Sequence, residues 1–356
     1  MTNKVQLAVI YGGKSGEHDI SITSASAVIS QLDRDKYDIT PIGITREGHW
    51  YATPLADVDP TAGKTLQVQT EASKPFNPMQ FMASDVKAPF DVAFPVLHGV
   101  HGEDGAVQGL LELINVAYVG SGVLGSAICL DKDVTKRLAL EADIPVVPYV
   151  AFNLGDWQLD AEGIVEDIED ELEYPVFVKP ANTGSSVGVS KAKTMDELIK
   201  AVEVALSHHV KVVVEQGFDI REVEVAVLEN PEYGKDPLTS VPGEITTLHE
   251  FYSYDAKYND DELVLTAPAD IPEHVAEEMQ AMAADVFNVL EAEGMLRVDF
   301  FLDKDSDDIM FNEANTIPGF TSVSMYPLAW QASGVEYPEL LDKLIDLAVA
   351  RHGRKR

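Results

Sequence analysis

One cysteine, Cys129, is all the thiol chemistry in these 356 residues. That excludes an intramolecular disulfide and a multi-cysteine zinc site, and the apolar context GSAICLDK marks a buried, inert thiol. Cations are also scarce: 26 Lys and Arg stand against 60 Asp and Glu, a formal net charge of -34. Such a field repels nucleic acid and anionic membrane, so neither is expected as a partner. The plain reading of the charge is a solvated acidic surface. Any anionic substrate must then be met by a local basic cluster together with metal. No apolar run reaches the length of a membrane span. The N-terminal MTNKVQLAVIYGG meets a glycine turn too early for a signal peptide and lacks a cleavage site. A soluble cytoplasmic protein is the expectation. Internal repeats and low-complexity tracts are absent, and the terminal RHGRKR reads as a solvated end.

What is there is a long alternation of β-branched runs and helical patterns, enough for two or three domains. VQLAVIY (5–11), 37–45 and 90–99 read as strands, and 21–32 and 103–114 as helices; this order predicts a parallel α/β sheet. Residues 52–89 show no clear period and read as an insertion or surface excursion. From about 122 the texture changes to an α+β unit, with a helix over 131–142 and strands over 174–180 and 210–218. A glycine-rich loop spans 181–188, and a helix 194–207. From REVEVAVLE onward, alternation predicts antiparallel strands, flanked by helices over 272–291 and 336–351. Three domains follow: 1–121, 122–217 and 218–356.

Five stretches bear on chemistry. YGGKSGEHDIS (11–21) fails as a Walker A loop, because that motif needs glycine where Ala8 stands. What remains is a strand, a tight turn and a helix start: either a simple connection, or a place where Glu17 holds a substrate ammonium. VKPANTGSSVGVSK (178–191) ends a strand on Lys179 and follows it with Gly184, Ser185, Ser186 and Gly188. It suits a loop folding over phosphates, and equally an ordinary Gly/Ser-rich hairpin. RVDFFLDKDSDDIMFNEANTIPGFTS is the strongest. Period-2 alternation puts Arg297 and Asp299 on one face of a strand, and Glu313 and Asn315 on one face of the next. A register with Asp299 opposite Glu313 also sets Arg297 opposite Asn315. That arrangement suits one or two Mg²⁺ ions bridging phosphates, or a polar hairpin face with a salt bridge from Arg297. TLHEFYSYDAKYNDDE (247–262) is a lid or a solvated loop, with Lys257 and Tyr258 among acids. In VLHGVHGEDG, His98 and His101 lack a third metal ligand. A binding loop at a strand's carboxyl end is the better reading there.

Together with YVGSGVLGSAICLDK and HGVHGEDGAVQGLLE, these motifs resemble the D-alanine–D-alanine ligases of the ATP-grasp superfamily, over nearly the whole chain and in that family's order. The resemblance implies a three-domain ATP-grasp fold, an N-terminal α/β domain for the first D-alanine, and ATP clamped between the central and C-terminal domains. It implies Lys132, Lys179, Ser185, Ser186 and Lys257 around the phosphates, Glu215 accepting from the adenine amino group, and Glu222 on the ribose. Asp299, Glu313 and Asn315 would hold two Mg²⁺, with Mn²⁺ as a substitute. Glu17 would anchor the first D-alanine with His98 nearby. Ser324 would take the second substrate's carboxylate, with Lys257 close to it, and Met325 stands where short members carry leucine.

The implied reaction makes an acyl phosphate from the first D-alanine and ATP. The second D-alanine's amine then displaces phosphate, and Arg297 with the Gly319 N–H forms the oxyanion site. Glu17, Ser185 and Tyr258 would form a hydrogen-bonded triad drawn from three domains. Tyrosine at 258 favours D-alanine over D-lactate as second substrate. The expected role is peptidoglycan precursor synthesis by a homodimer. A D-alanine–D-lactate ligase, another ATP-grasp carboxylate–amine ligase and a catalytically silent ATP-binding module are the alternatives.

Overall fold

The structure, a computed structural model, describes residues 4–82, 86–246 and 264–354. The apolar run of the first strand, β1 (Val5–Gly12), is buried on both sides, as a central parallel strand must be. After it come α1 (His18–Gln31), β2 (Tyr37–Ile44), β3 (Trp50–Ala52), α2 (Leu55–Val58), β4 (Lys74–Pro75), β5 (Val92–Val96), α3 (Ala106–Leu113) and β6 (Ala117–Tyr118). The sheet order is β4-β3-β2-β1-β5-β6, parallel from β2 to β6 and antiparallel at the β3–β4 edge. Alternate β1 residues serve two cores. Leu7, Val9 and Tyr11 face α1, while Ala8 and Ile10 face Val107 and Leu111 of α3.

Two expectations are corrected here. Helix α1 begins at His18, not near Ser21. The Ser21 hydroxyl lies inside the helix and is committed to the sheet, donating to Val96 O and accepting from Gly12 N at 2.8 Å. Residues 52–89 are more than a surface excursion. β3 and β4 extend the sheet, Val58 and Leu66 are buried in its core, and Phe76 stacks on Trp50 at 6.4 Å.

α4 (Val123–Leu130) and α5 (Lys132–Glu141) lead into β7 (Tyr149–Asn153), α6 (Leu154–Leu159), α7 (Ala161–Glu171), β8 (Val176–Pro180), β9 (Ser190–Ala192), α8 (Met195–His208) and β10 (Lys211–Gln216). These strands make an antiparallel sheet in the order β7-β10-β8-β9, with its own core against α7 and α8.

The third sheet runs β14-β13-β11-β15-β16, with β12 on the side of β11. Its strands are β11 (Ile220–Leu228), β12 (Leu238–Thr239), β13 (Gly243–Thr246), β14 (Val264–Thr266), β15 (Met295–Asp303) and β16 (Ile309–Asn315). Helix α9 (Glu273–Val289) covers one face, where Phe300 and Phe311 meet edge-on. Helices α10 (Met325–Ala332) and α11 (Tyr337–Arg354) join the other face to the first sheet in one core. Arg351 of α11, almost fully buried, donates to the carbonyl oxygens of Tyr118 and Gly120 and ties the chain's end to the first sheet. Among the described residues no helix is long and apolar enough to cross a membrane.

Candidate active site

The second and third sheets face each other across a cleft of about 320 Å³, lined by Lys132, Lys179, Ser186, Glu215, Glu222, Asp299 and Glu313. Its floor is the β15–β16 hairpin, whose register is the one the alternation predicts: Asp299 opposite Glu313 and Arg297 opposite Asn315. On the far side of β15, Glu224 of β11 stands opposite Asp299. Three carboxylates therefore lie in one row across three strands, and like charges in such a row repel. Arg297, two residues along the same face, offsets them. Its Nε and Nη2 each lie 2.7 Å from an oxygen of Asp299, and Nε lies 3.1 Å from Glu224 Oε2. Burial weighs against its charge, but Asp299 and Glu224 outweigh burial and hold the guanidinium's pKa well above the ordinary value. A bulge after Asp299 brings Asn312 to the cleft beside Glu313, which strict alternation does not foresee.

The cleft's cations come from α5 and β8. Lys132 Nζ donates to Thr183 O at 2.8 Å and lies 3.3 Å from Glu313 Oε2. Lys179 lies 2.5 Å from Glu215 Oε2. Lys136, one helical turn after Lys132, is fully buried and lies 3.0 Å from Glu215 Oε1. Burial pushes the Glu215 carboxyl up, yet the two ammonium groups prevail and bring it down to about 2. Burial also works against the Lys179 charge, and Glu215 raises its pKa in spite of this. In a chain of net charge -34 these lysines and Arg297 gather four cations at one site, each paired with cleft carboxylates.

Against the 183–186 loop that lines the cleft, the first sheet supplies Glu17, in the N-cap position of α1. Ser185, at a left-handed φ of 50°, donates to its Oε1 and so bridges the first and second sheets. Gly99 approaches so closely that a Cβ there would stand 2.4 Å from Glu17 Oε2. His98 is buried with both ring nitrogens committed, Nδ1 at 3.0 Å from Ile317 O and Nε2 at 3.1 Å from Ser24 Oγ. Burial lowers its pKa, and Glu17 opposes the shift. The neutral ring thus joins the first sheet to the loop after β16. Gly319 in that loop lies close to Ser324: a Cβ there would meet Ser324 Oγ at 2.7 Å and push that hydroxyl aside. Met325 is placed otherwise than a substrate contact would require: its side chain is buried in the core against Gly243. Tyr258 and Lys257, with the rest of 247–263, lie outside the described residues.

Four further residues, Ser24, Glu103, Lys136 and Glu224, belong to this constellation and are not singled out by the sequence reading. Glu224 follows Glu222 at strand spacing and Lys136 follows Lys132 at helical spacing, so both had a signal. Ser24 and Glu103 had none. Glu103 accepts from Gly99 N at 2.7 Å and Ile317 N at 3.2 Å. Burial, reinforced by Glu17, pushes its carboxyl up to about 8 from 4.5, against those two N–H groups and Arg297. A carboxyl whose folded pKa is raised binds more protons folded than unfolded. Its contribution is therefore full below pH 4.5 and is lost as pH rises through about 8. The Tm should fall between about pH 5 and 8 and level off above that, and Glu103→Gln should flatten that fall. Calorimetry across the range checks it; equal slopes for both proteins would refute the assignment.

No group of three or more His, Cys, Asp and Glu side chains that could hold a metal ion occurs among the described residues. Asp299 and Glu313 are two hard-oxygen ligands in register, with Asn315 donating to Asp299 Oδ2 at 3.1 Å. That donor set fits Mg²⁺, which needs only one or two carboxylates when substrate phosphates and water complete its shell.

The model of the D-ala D-ala ligase N-terminus matches residues 6–121, and that of the D-ala D-ala ligase C-terminus matches 138–346. A D-alanine–D-alanine ligase of Caldicellulosiruptor bescii is 46% identical over 361 residues, covering 99% of this chain and 97% of that one. One of Bacillus velezensis is 44% identical over 353 residues, covering 98% of each. Among solved structures, the D-alanine–D-alanine ligase of Coxiella burnetii superposes with a TM-score of 0.84 at 36% identity, covering 99% of this chain and 96% of that one. The D-Ala:D-Ser ligase VanG of Enterococcus faecalis matches with the same score and identity, covering 97% and 100%. The three sheets and their helices are therefore those of the ATP-grasp fold, and the chain belongs to the D-alanine–D-alanine ligase family.

Proposed function

We propose that the two ends of the cleft divide the family's reaction between them, with ATP held along Lys132, Lys179 and Glu215 and the first D-alanine held at Glu17. The reaction is the ATP-dependent joining of two D-alanines into D-alanyl-D-alanine, for peptidoglycan precursor synthesis. The observation that carries the division is a single polar track: Ser185 binds Glu17 at one end, and Lys132 pairs with Glu313 at the other.

In this reading Glu17 binds the ammonium of the first D-alanine. A carboxylate oxygen of that D-alanine attacks the γ-phosphorus, the bond to the β–γ bridging oxygen breaks, and ADP leaves. Lys132 and Lys179 stand where they compensate the phosphates, under the loop carrying Ser185 and Ser186. Asp299, Glu313 and Asn315 would hold Mg²⁺, which when bound neutralises charge on the phosphoryl oxygens. The free amine of the second D-alanine, its carboxylate at Ser324, then attacks the acyl carbon. The carbon–oxygen bond to phosphate breaks, and the phosphate keeps the electron pair. Arg297 and the Gly319 N–H receive the oxyanion between these two events. Glu215 takes the adenine amine and Glu222 the ribose. Tyr258 and Lys257 close the site from the 247–262 loop, keeping water from the acyl phosphate.

The three domains at 1–121, 122–217 and 218–356, the homodimer, and two Mg²⁺ ions with Mn²⁺ as substitute belong to the same proposal. The depsipeptide alternative with D-lactate is not favoured, since the curated relatives are D-alanine–D-alanine ligases. ADP release with ATP, Mg²⁺ and either alanine stereoisomer tests the assignment. D-Alanine should drive turnover and L-alanine should not; equal rates would remove the substrate reading.

A further inference from the structure

Lys136 has no part in the roles above. It is fully buried, lies behind the cleft wall, and places its ammonium 3.0 Å from Glu215 Oε1 and 5.8 Å from the Tyr149 ring centroid. A buried ammonium is among the costliest side chains a fold can carry, and an apolar residue would fill the same helical position without that cost. Its presence calls for a chemical reason. Glu215 is itself only 2% exposed, and its two oxygens look two ways. Oε2 meets Lys179, which lines the cleft, at 2.5 Å. Oε1 meets Lys136 as a close ion pair and accepts no aligned hydrogen bond.

Lys179 cannot serve Glu215 and a triphosphate equally. As its ammonium turns toward phosphoryl oxygens, Oε2 becomes open to a donor from the bound base. Without a second cation, the carboxylate would then stand alone in a dry pocket and take up a proton. It would present an O–H donor where an exocyclic amine also donates. We propose that Lys136 is a positioning residue that keeps Glu215 ionised and aimed once Lys179 has moved to the nucleotide, and that it thereby sets the preference for a base carrying an exocyclic amine. This rests on the reading of Glu215 as the adenine acceptor.

The test is steady-state ligation by the full chain with ATP and with inosine triphosphate, whose base carries a carbonyl where adenine carries its amine. The wild type should prefer ATP. Lys136→Met should raise the KM for ATP about 10- to 100-fold, the loss expected when a charge-assisted contact fails. The KM values for inosine triphosphate and D-alanine should stay within about threefold, so the preference collapses. Lys136→Arg keeps the charge and should restore most of the preference, which a merely structural role would not require. Glu215→Gln is the control and should itself lose the preference. If it keeps the wild-type preference, the adenine reading falls. If it loses the preference while Lys136→Met retains it, the inference about Lys136 alone is overturned. Should Lys136→Met fail to fold, Lys136→Gln, neutral and polar, makes the same comparison.

Discussion

Arg297→Met should lower kcat by about 10²- to 10³-fold, the usual cost of removing a donor from an oxyanion site. Two features of the sheet add to that loss. Glu224 and Asp299 are cross-strand neighbours, and Asp299 is in turn opposite Glu313. The arginine holds both oxygens of Asp299 at 2.7 Å and reaches Glu224 at 3.1 Å. Methionine fills a similar volume but leaves these carboxylates facing each other. Removing one partner from a buried ion pair costs about 3–5 kcal/mol of stability, so the melting temperature should fall as well. Arg297→Lys separates the two effects. Its ammonium keeps one positive charge beside Asp299 and Glu224, so most of the stability should return. A point charge does not reproduce the bidentate grip, so kcat should stay well below wild type. Rapid-quench measurement of peptide formation and a thermal melt together decide it. A methionine variant with kcat within about tenfold of wild type would show that the oxyanion is received elsewhere.

Much of this arrangement can be read before the fold is known, and the reason differs from element to element. The β15–β16 register is legible because apolar Val298 and Phe300 alternate with polar Arg297 and Asp299, and a slip by one residue would turn the charges from the cleft face into the apolar core. Asn312 escapes the same logic, since a bulge breaks the alternation at that point. The helix after β1 is legible, but its start is not: the hydroxyl at Ser21 is taken up by strand backbone rather than by a cap. Residues 52–89 hide their order because short edge pairings and scattered anchors such as Val58 and Leu66 produce no period. Of the residues proposed to meet substrate, Glu17, Lys179, Asp299 and Glu313 sit in glycine-rich or acidic motifs that stand out, while Lys132, Glu215 and Ser324 are found only through the family resemblance. Those that act through another residue do not stand out. Lys136 finds Glu215, and Glu103 finds Ile317, only once separate sheets are brought together. His98 shows the converse, since a histidine at a strand's carboxyl end suggests a ligand while the fold spends both its nitrogens internally.

Glu313→Ala should reduce ADP release by about 10³-fold or more while leaving the fold nearly untouched. The asymmetry follows from where the side chain stands. Glu313 faces the cleft from β16, opposite Asp299, and its ion pair with Lys132 at 3.3 Å is partly open to solvent. Lys132 keeps its bond to Thr183 O when the carboxylate is gone, so the stability lost should be smaller than for Arg297→Met. Catalysis loses far more. Asp299 already commits both oxygens to Arg297 and accepts from Asn315 as well. In the proposed reaction Glu313 is the cleft-facing carboxylate that meets Mg²⁺, and its ion pair with Lys132 at 3.3 Å is longer than the 2.7 Å contacts of Asp299 with Arg297. Glu313→Gln keeps the shape and one oxygen but not the charge. It should recover part of the rate at high Mg²⁺, with the half-saturating Mg²⁺ concentration raised about tenfold or more. Alanine, with no oxygen to offer, should gain nothing from the excess. Mg²⁺ titrations of ADP release on the three proteins, with melting curves alongside, separate these cases. If the alanine variant kept more than about a tenth of wild-type turnover, the metal-holding role would have to pass to other oxygens of the cleft.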